Sequence, residues 1–190
     1  RMIVGYHGCD RGLVEQVILH GEPLKPSQNR WDWLGEGIYF WEYGLQRAFE
    51  FACEQKLRGK VEHPAILGAY IHLGRCFDLT DTRHPSLLAK VFDTWKEQVE
   101  ARGHELPTNQ SISGQGGDLL LRFRDCALIN WLMQELDTEK KQKYFHTVRG
   151  VFVEGQPVYP NAGIFTKTHI QIAVRDTSCI VGYFVPPTLS

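Results

Sequence analysis

Apolar and polar positions recur along the chain with periods that predict most of its elements. Residues 2 to 7, Met-Ile-Val-Gly-Tyr-His, read as a short buried strand. Leu13, Val14, Val17 and Ile18 share one face of a helix that Asp10 can cap and Gly21 can end. A loop rich in Pro, Asn, Gly and Trp runs from Pro23 to Gly37, and Ile38-Tyr39-Phe40-Trp41 reads as the next strand. Residues 45 to 58 predict a helix with Leu45, Ala48, Phe49, Ala52 and Leu57 facing inward. Residues 65 to 73 predict a central strand. Leu87, Leu88, Val91, Phe92, Trp95 and Val99 form a helical stripe, with Pro85 in the first turn that tolerates it. The polar, Gly-rich stretch 103 to 117 predicts a mobile loop, and a second long helix is expected from about Asp118 to Leu136. Three strands follow, at Gly150 to Val153, Thr168 to Arg175 and Ile180 to Val185. Strands at both ends with helices between must pair at long range, which makes the fold class α+β.

Composition narrows this picture. A length of 190 residues predicts one domain over 1–190, and 43% hydrophobic residues are enough for a core. Lys plus Arg number 21 and Asp plus Glu 22, a net charge of −1 that excludes a histone-like, purely electrostatic nucleic-acid binder. No apolar run reaches the roughly 18 residues of a membrane span, so no membrane partner is expected. No secretory signal pattern is visible. Five cysteines, widely spaced and without a C-x-x-C, read as small buried hydrophobes in a reducing compartment, so the expected location is cytoplasmic. The His and Cys residues lack the paired spacing of a zinc site, and no metal is expected. No Gly-rich phosphate loop follows a strand in Rossmann fashion.

Three segments carry candidate chemistry. His7-Gly8 ends the first strand, where a glycine lets a ligand approach the backbone and an imidazole can bond a sugar hydroxyl. Gly35-Glu36-Gly37 feeds a strand on which Tyr39 and Trp41 share one face, so Tyr39 can offer a flat ring and a hydroxyl to a cleft. Between Thr168 and Arg175, Ile170, Ile172 and Val174 alternate with His169, Gln171 and Arg175, placing the polar set opposite the apolar one. Each segment alone also fits a plainer reading: a core histidine, an aromatic core, a half-exposed strand.

Together, in this order, they resemble the diphtheria-toxin-like ADP-ribosyltransferases, which include the poly(ADP-ribose) polymerases. His-Gly on a first strand, Gly-x-Gly-Ile-Tyr-Phe before an Ala-bearing helix, and a polar residue before Ile-x-Val on a late strand carry the resemblance along the whole chain. The run Asp32 to Glu42 is similar to one in bacterial single-domain members of about this length. The resemblance implies a split β-sandwich with flanking helices, and NAD+ as co-substrate in a bent pose. It implies that His7 bonds a ribose hydroxyl, that the Gly8 backbone holds the carboxamide, and that Tyr39 stacks on the nicotinamide ring. A second stacking aromatic is expected on the following helix, where Phe49 is nearest.

One departure matters. The family commonly has Glu where this chain has Gln171. A carboxylate there stabilises the positive charge that develops on the ribose and can take the acceptor's proton, whereas an amide only hydrogen-bonds. Glu154, in Val153-Glu154-Gly155, is the nominated substitute, and Asp125 a second polar position of structural character. The resulting expectation is a mono-ADP-ribosyltransferase, in the setting of a toxin or anti-phage effector with a neutralising antitoxin. A binding module that has lost catalysis and an NAD+ glycohydrolase stand as alternatives. RNA or DNA is expected ahead of protein as acceptor. Trp31, Trp33, Trp41 and Tyr43 would stack unpaired bases, and Arg30, Arg47, Lys167 and Arg175 would supply local charge.

Overall fold

The computed structural model describes residues 1–111, 121–137 and 142–187. In chain order the elements are β1 (Met2–Asp10), α1 (Arg11–His20), β2 (Ile38–Glu42), α2 (Leu45–Leu57), β3 (Pro64–His72) and β4 (Cys76–Asp78). There follow α3 (Arg83–Ala101), α4 (Phe123–Leu136), β5 (Thr147–Phe152), β6 (His169–Val174) and β7 (Ile180–Phe184). The fold is α+β, as the pattern predicts. Asp10 caps α1 by accepting from the Gly12 N–H, and Gly21 closes it in the left-handed region at φ 68°. The second Asp10 oxygen accepts from the Glu62 and His63 N–H groups, so the same carboxylate pins the turn into β3.

The strands form one sheet in the order β4-β5-β6-β2-β1-β3-β7. Every pairing is antiparallel except β4 with β5. β4 has only three residues, too few for a period of two to register, and it escapes sequence reading. Each face buries its own core. Ile3, Phe40, Leu67, Ile71 and Ile172 lie on one face with Val14 and Val17 of α1. Leu34, Phe77, Val148 and Ala173 lie on the other with Ile129, Leu132 and Met133 of α4.

Two expectations shift. The helix expected from Asp118 begins at Phe123 in the described chain, and residues 118–120 lie outside the described residues, as do 112–117 of the expected mobile loop. Leu57, expected inward, is 90% exposed. α2 buries Ala48 and Ala52, and Leu57 sits five positions past Ala52, about 140° around the helix from that stripe.

A candidate ligand cleft where two strands part

The centre of the sheet is where the site forms. β1 pairs with β3 along all nine residues, from Met2↔His72 to Asp10↔Pro64. Against β2 it pairs only at Gly5↔Glu42 and Tyr6↔Trp41. Beyond Tyr6 the two strands separate, and the gap is bridged by a side chain. His7 Nδ1 lies 2.8 Å from the Tyr39 carbonyl oxygen. A carbonyl only accepts, so Nδ1 carries the proton and Nε2 presents a lone pair. Burial lowers the His7 pKa below 6.5, outweighing the opposing effect of the Tyr39 bond, and favours this neutral form.

The gap opens into a cleft of about 630 Å³, within the range of small-molecule sites. Tyr39 lines it with its ring while the backbone fixes its hydroxyl. That hydroxyl donates to Gly35 O at 2.8 Å and accepts from Leu34 N at 3.0 Å. Gly35 adopts φ 80°, a conformation that suits glycine, so this loop can return its backbone to the tyrosine tip. Gln171 stands across the strand pair from Trp41, and Ala173 across from Tyr39. The Trp33 indole N–H donates to Gln171 Oε1 at 2.6 Å, which leaves the Gln171 amide N–H groups for the cleft.

Glu154 also reaches the cleft, but it is paired. Arg47 Nη2 bridges its two oxygens at 3.2 and 3.0 Å. His169 lies beside it, with Nδ1 3.9 Å from Glu154 Oε2 and 2.7 Å from the Lys167 carbonyl. Burial lowers the His169 pKa, against the effect of the Lys167 bond, and the Arg47 charge lowers it further. Among the described residues, three buried side-chain nitrogens find no hydrogen-bond partner: Trp41 Nε1, Arg47 Nε and His169 Nε2. All three residues line this cleft. Sequence reading placed His169 on the right face without assigning it a role. Its alternation with Gln171 was the available signal.

The structure thus brings His7, Gly8, Tyr39, Gln171 and Glu154 to one cleft, but not Phe49. Phe51 takes that place, its ring 5.0 Å from Trp41. The two phenylalanines are about 200° apart on α2, so the helix can present only one of them. Gly8 has a packing reason to be glycine, because a Cβ there would collide with the Ala48 carbonyl of α2. Asp125 is held by Asn109 and Arg122 at 2.9 and 3.2 Å, a structural arrangement.

The expected basic strip is largely neutralised. Arg47 pairs with Glu154 and Glu54, Lys167 with Glu54, and Arg175 with Asp137. Exposed Lys25, Arg58 and Lys60 line the cleft instead. Of the four rim aromatics, Trp33 and Trp41 are buried, while Trp31 and Tyr43 are exposed. Among the described residues no group of three His, Cys, Asp or Glu side chains is placed to hold a metal ion. No described helix is long and apolar enough to cross a membrane. All five cysteines are free, and burial pushes the Cys9 thiol up to about 12.

No family model matches the chain, and no solved structure does. An uncharacterized protein of Methanocaldococcus jannaschii is 33% identical over 101 residues. The match covers 50% of this chain and 47% of that protein, so the chain spans about half the length of the curated relative it matches.

Proposed function

We propose that this cleft binds NAD+ and that the protein transfers single ADP-ribose units to a nucleic-acid acceptor. In this reading the fold is an ADP-ribosyltransferase-like split β-sandwich, divided where β1 and β2 part. The observation that carries the reading is the meeting of His7, Tyr39 and Gln171, from three different strands, around that gap. His7 Nε2 accepts from a ribose hydroxyl. The Tyr39 ring, clamped at its hydroxyl, gives a fixed stacking face. Gln171 donates its amide N–H to a second hydroxyl and holds the sugar, while Glu154 offers the carboxylate that Gln171 lacks. Bound NAD+ supplies an ADP-ribosyl group and a nicotinamide leaving group. Free cysteines support a reducing cytoplasm as the setting, that of a toxin or anti-phage effector with a neutralising antitoxin.

A second reading, an NAD+ or ADP-ribose binding module, draws on a specific feature. Gln171 Oε1 is committed to Trp33, and Glu154 to Arg47. Titration calorimetry combined with nicotinamide release separates the two, since a module binds NAD+ without releasing nicotinamide. Folded His7→Ala should bind NAD+ about fivefold more weakly, the loss of one hydrogen bond worth about 1 kcal/mol. Unchanged affinity would remove His7 from the site. Labelled NAD+ offered with RNA, DNA and protein fractions should leave nuclease-sensitive label in single units. Label on protein alone would sink the acceptor assignment, and polymer ladders would sink single-unit transfer.

A further inference from the structure

The three unpartnered nitrogens in the cleft belong to one neighbourhood. The Arg47 guanidinium lies 5.8 Å from the Trp41 ring centroid, and the Trp41 and His169 rings are 6.1 Å apart. Trp41 pairs with Gln171 across the sheet, and His169 is two residues further along the same face of β6. The cluster therefore adjoins Gln171 on the side of Glu154, away from His7. Buried polar groups in folded proteins are almost always paired, and those left open concentrate where a ligand completes them.

Their hydrogen-bonding senses are fixed. Trp41 Nε1 and Arg47 Nε are donors only. Burial favours the neutral His169 ring, and with Nδ1 donating to the Lys167 carbonyl at 2.7 Å, Nε2 is an acceptor. The matching ligand edge offers two acceptors and one donor. A phosphodiester or an ionised carboxylate offers no donor and leaves His169 unmet. Among nucleobases, the Watson–Crick edges of cytosine and of uracil or thymine each carry one donor and two acceptors. Adenine is one acceptor short, and guanine carries two donors and one acceptor.

We propose that Trp41, Arg47 and His169 form a base-reading subsite for an unpaired pyrimidine. The three nitrogens are shielded from water, so a base that reaches them must shift the Trp41 and His169 rings and the Arg47 side chain. Exposed Trp31 lies on the same cleft and offers a stacking face for a neighbouring base, and exposed Lys25, Arg58 and Lys60 line the cleft where strand phosphates would pass. Taking the bound pyrimidine as the ADP-ribose acceptor rests on the transfer reading; the base binding itself does not.

The test is fluorescence anisotropy with labelled single-stranded hexamers of uridine, cytidine, adenosine and an abasic sugar-phosphate, with and without NAD+. The pyrimidine hexamers should bind about tenfold more tightly than the adenosine and abasic ones. Trp41→Phe removes only the indole N–H end, and His169→Asn keeps a donor for Lys167 but loses the Nε2 acceptor. Each should abolish the pyrimidine preference, with melting curves checking the fold. Equal binding of all hexamers, a preference for adenosine, no binding, or full preference in either folded variant would overturn the subsite. If a variant fails to fold, the hexamer comparison on the unaltered protein still decides. NAD+ calorimetry together with nicotinamide release on that same protein reports separately on the transfer reading.

Discussion

Two polar clusters lie on opposite faces of the same strand, and they are built on opposite principles. Glu42 and Trp41 are neighbours on β2, so their side chains point to opposite faces of the sheet. Around Glu42 every strong group is met. Arg149 Nε reaches Glu42 at 2.5 Å, Arg149 Nη1 reaches Asp78 at 3.0 Å, and Arg1 takes the other Glu42 oxygen at 3.0 Å. This cluster ties β2, β4 and β5 together with only 7% of the Arg149 side chain exposed. Around Trp41 three nitrogens are left open. Arg149 and Glu42 on one side and Trp41 and His169 on the other are all nearly buried, and what distinguishes the two places is whether the bonds are closed. A cluster that stabilises the fold completes its bonds internally, whereas one that binds keeps some for the ligand.

The largest effect should come from breaking the closed cluster. Arg149→Met leaves Glu42, with 3% of its side chain exposed, and Asp78 without their shared cation. Removing one partner of a buried ion pair costs about 3–5 kcal/mol, and urea unfolding would read it. A loss below about 1 kcal/mol would mean that the cluster is not structural.

Next in size is a pH effect carried by the two histidines that line the cleft. His7 and His169 are both held below 6.5, in each case chiefly by burial. The unfolded chain takes up these protons as pH falls through 6.5, while the folded one resists. Stability is therefore full above about pH 7 and declines from 6.5 toward the lower folded values. The slope is at most about 1.4 kcal/mol per pH unit for each histidine. The depressed carboxylates, Asp78 among them, lose their contribution only below 3.8. Asp32, raised by burial, acts in the opposite direction just above that value. Urea unfolding at pH 7, 6 and 5 should show the decline, and His7→Gln combined with His169→Asn should flatten it. An unchanged slope in that variant would contradict neutral histidines in the cleft.

The lining of the cleft was partly legible in the sequence, the closed cluster hardly at all. The His-Gly end of β1 marked His7, and the Gly-bounded aromatic strand and the alternation on β6 put Tyr39 and Gln171 on recognisable positions, because a period of two specifies a face. Glu154 is nominated from its place on the loop before that strand, and it lines the same cleft. The resemblance points to Phe49 only with an offset of about a residue, and two positions along a helix turn the side chain to the opposite flank, where Phe51 meets the cleft. The ion pairs that silence Arg47, Lys167 and Arg175 join residues as far apart as Arg47 and Glu154. No local pattern encodes such partners. For the same reason nothing in the sequence marked Trp41 Nε1 as open and Trp33 Nε1 as closed.

Those two tryptophans give the smallest and cleanest test of the comparison. Both are buried, at 9% and 4% exposure for Trp33 and Trp41, and both line the cleft. Replacing either by Phe removes the same atoms, including the indole N–H. At Trp33 that N–H is bonded to Gln171 at 2.6 Å, so Trp33→Phe loses a hydrogen bond and strands a half-buried acceptor. At Trp41 no bond is lost, and the cost of burying an unmet donor is removed. Trp33→Phe should therefore destabilise by about 1 kcal/mol more than Trp41→Phe. Unequal packing around the two rings is handled by repeating Trp33→Phe in a Gln171→Met background, where no bond remains to lose and the cost should shrink by a similar amount. If Trp41→Phe proves the more damaging of the two and the Gln171 background changes nothing, the Trp41 N–H already has a partner in solution, and the contrast between closed and open clusters fails.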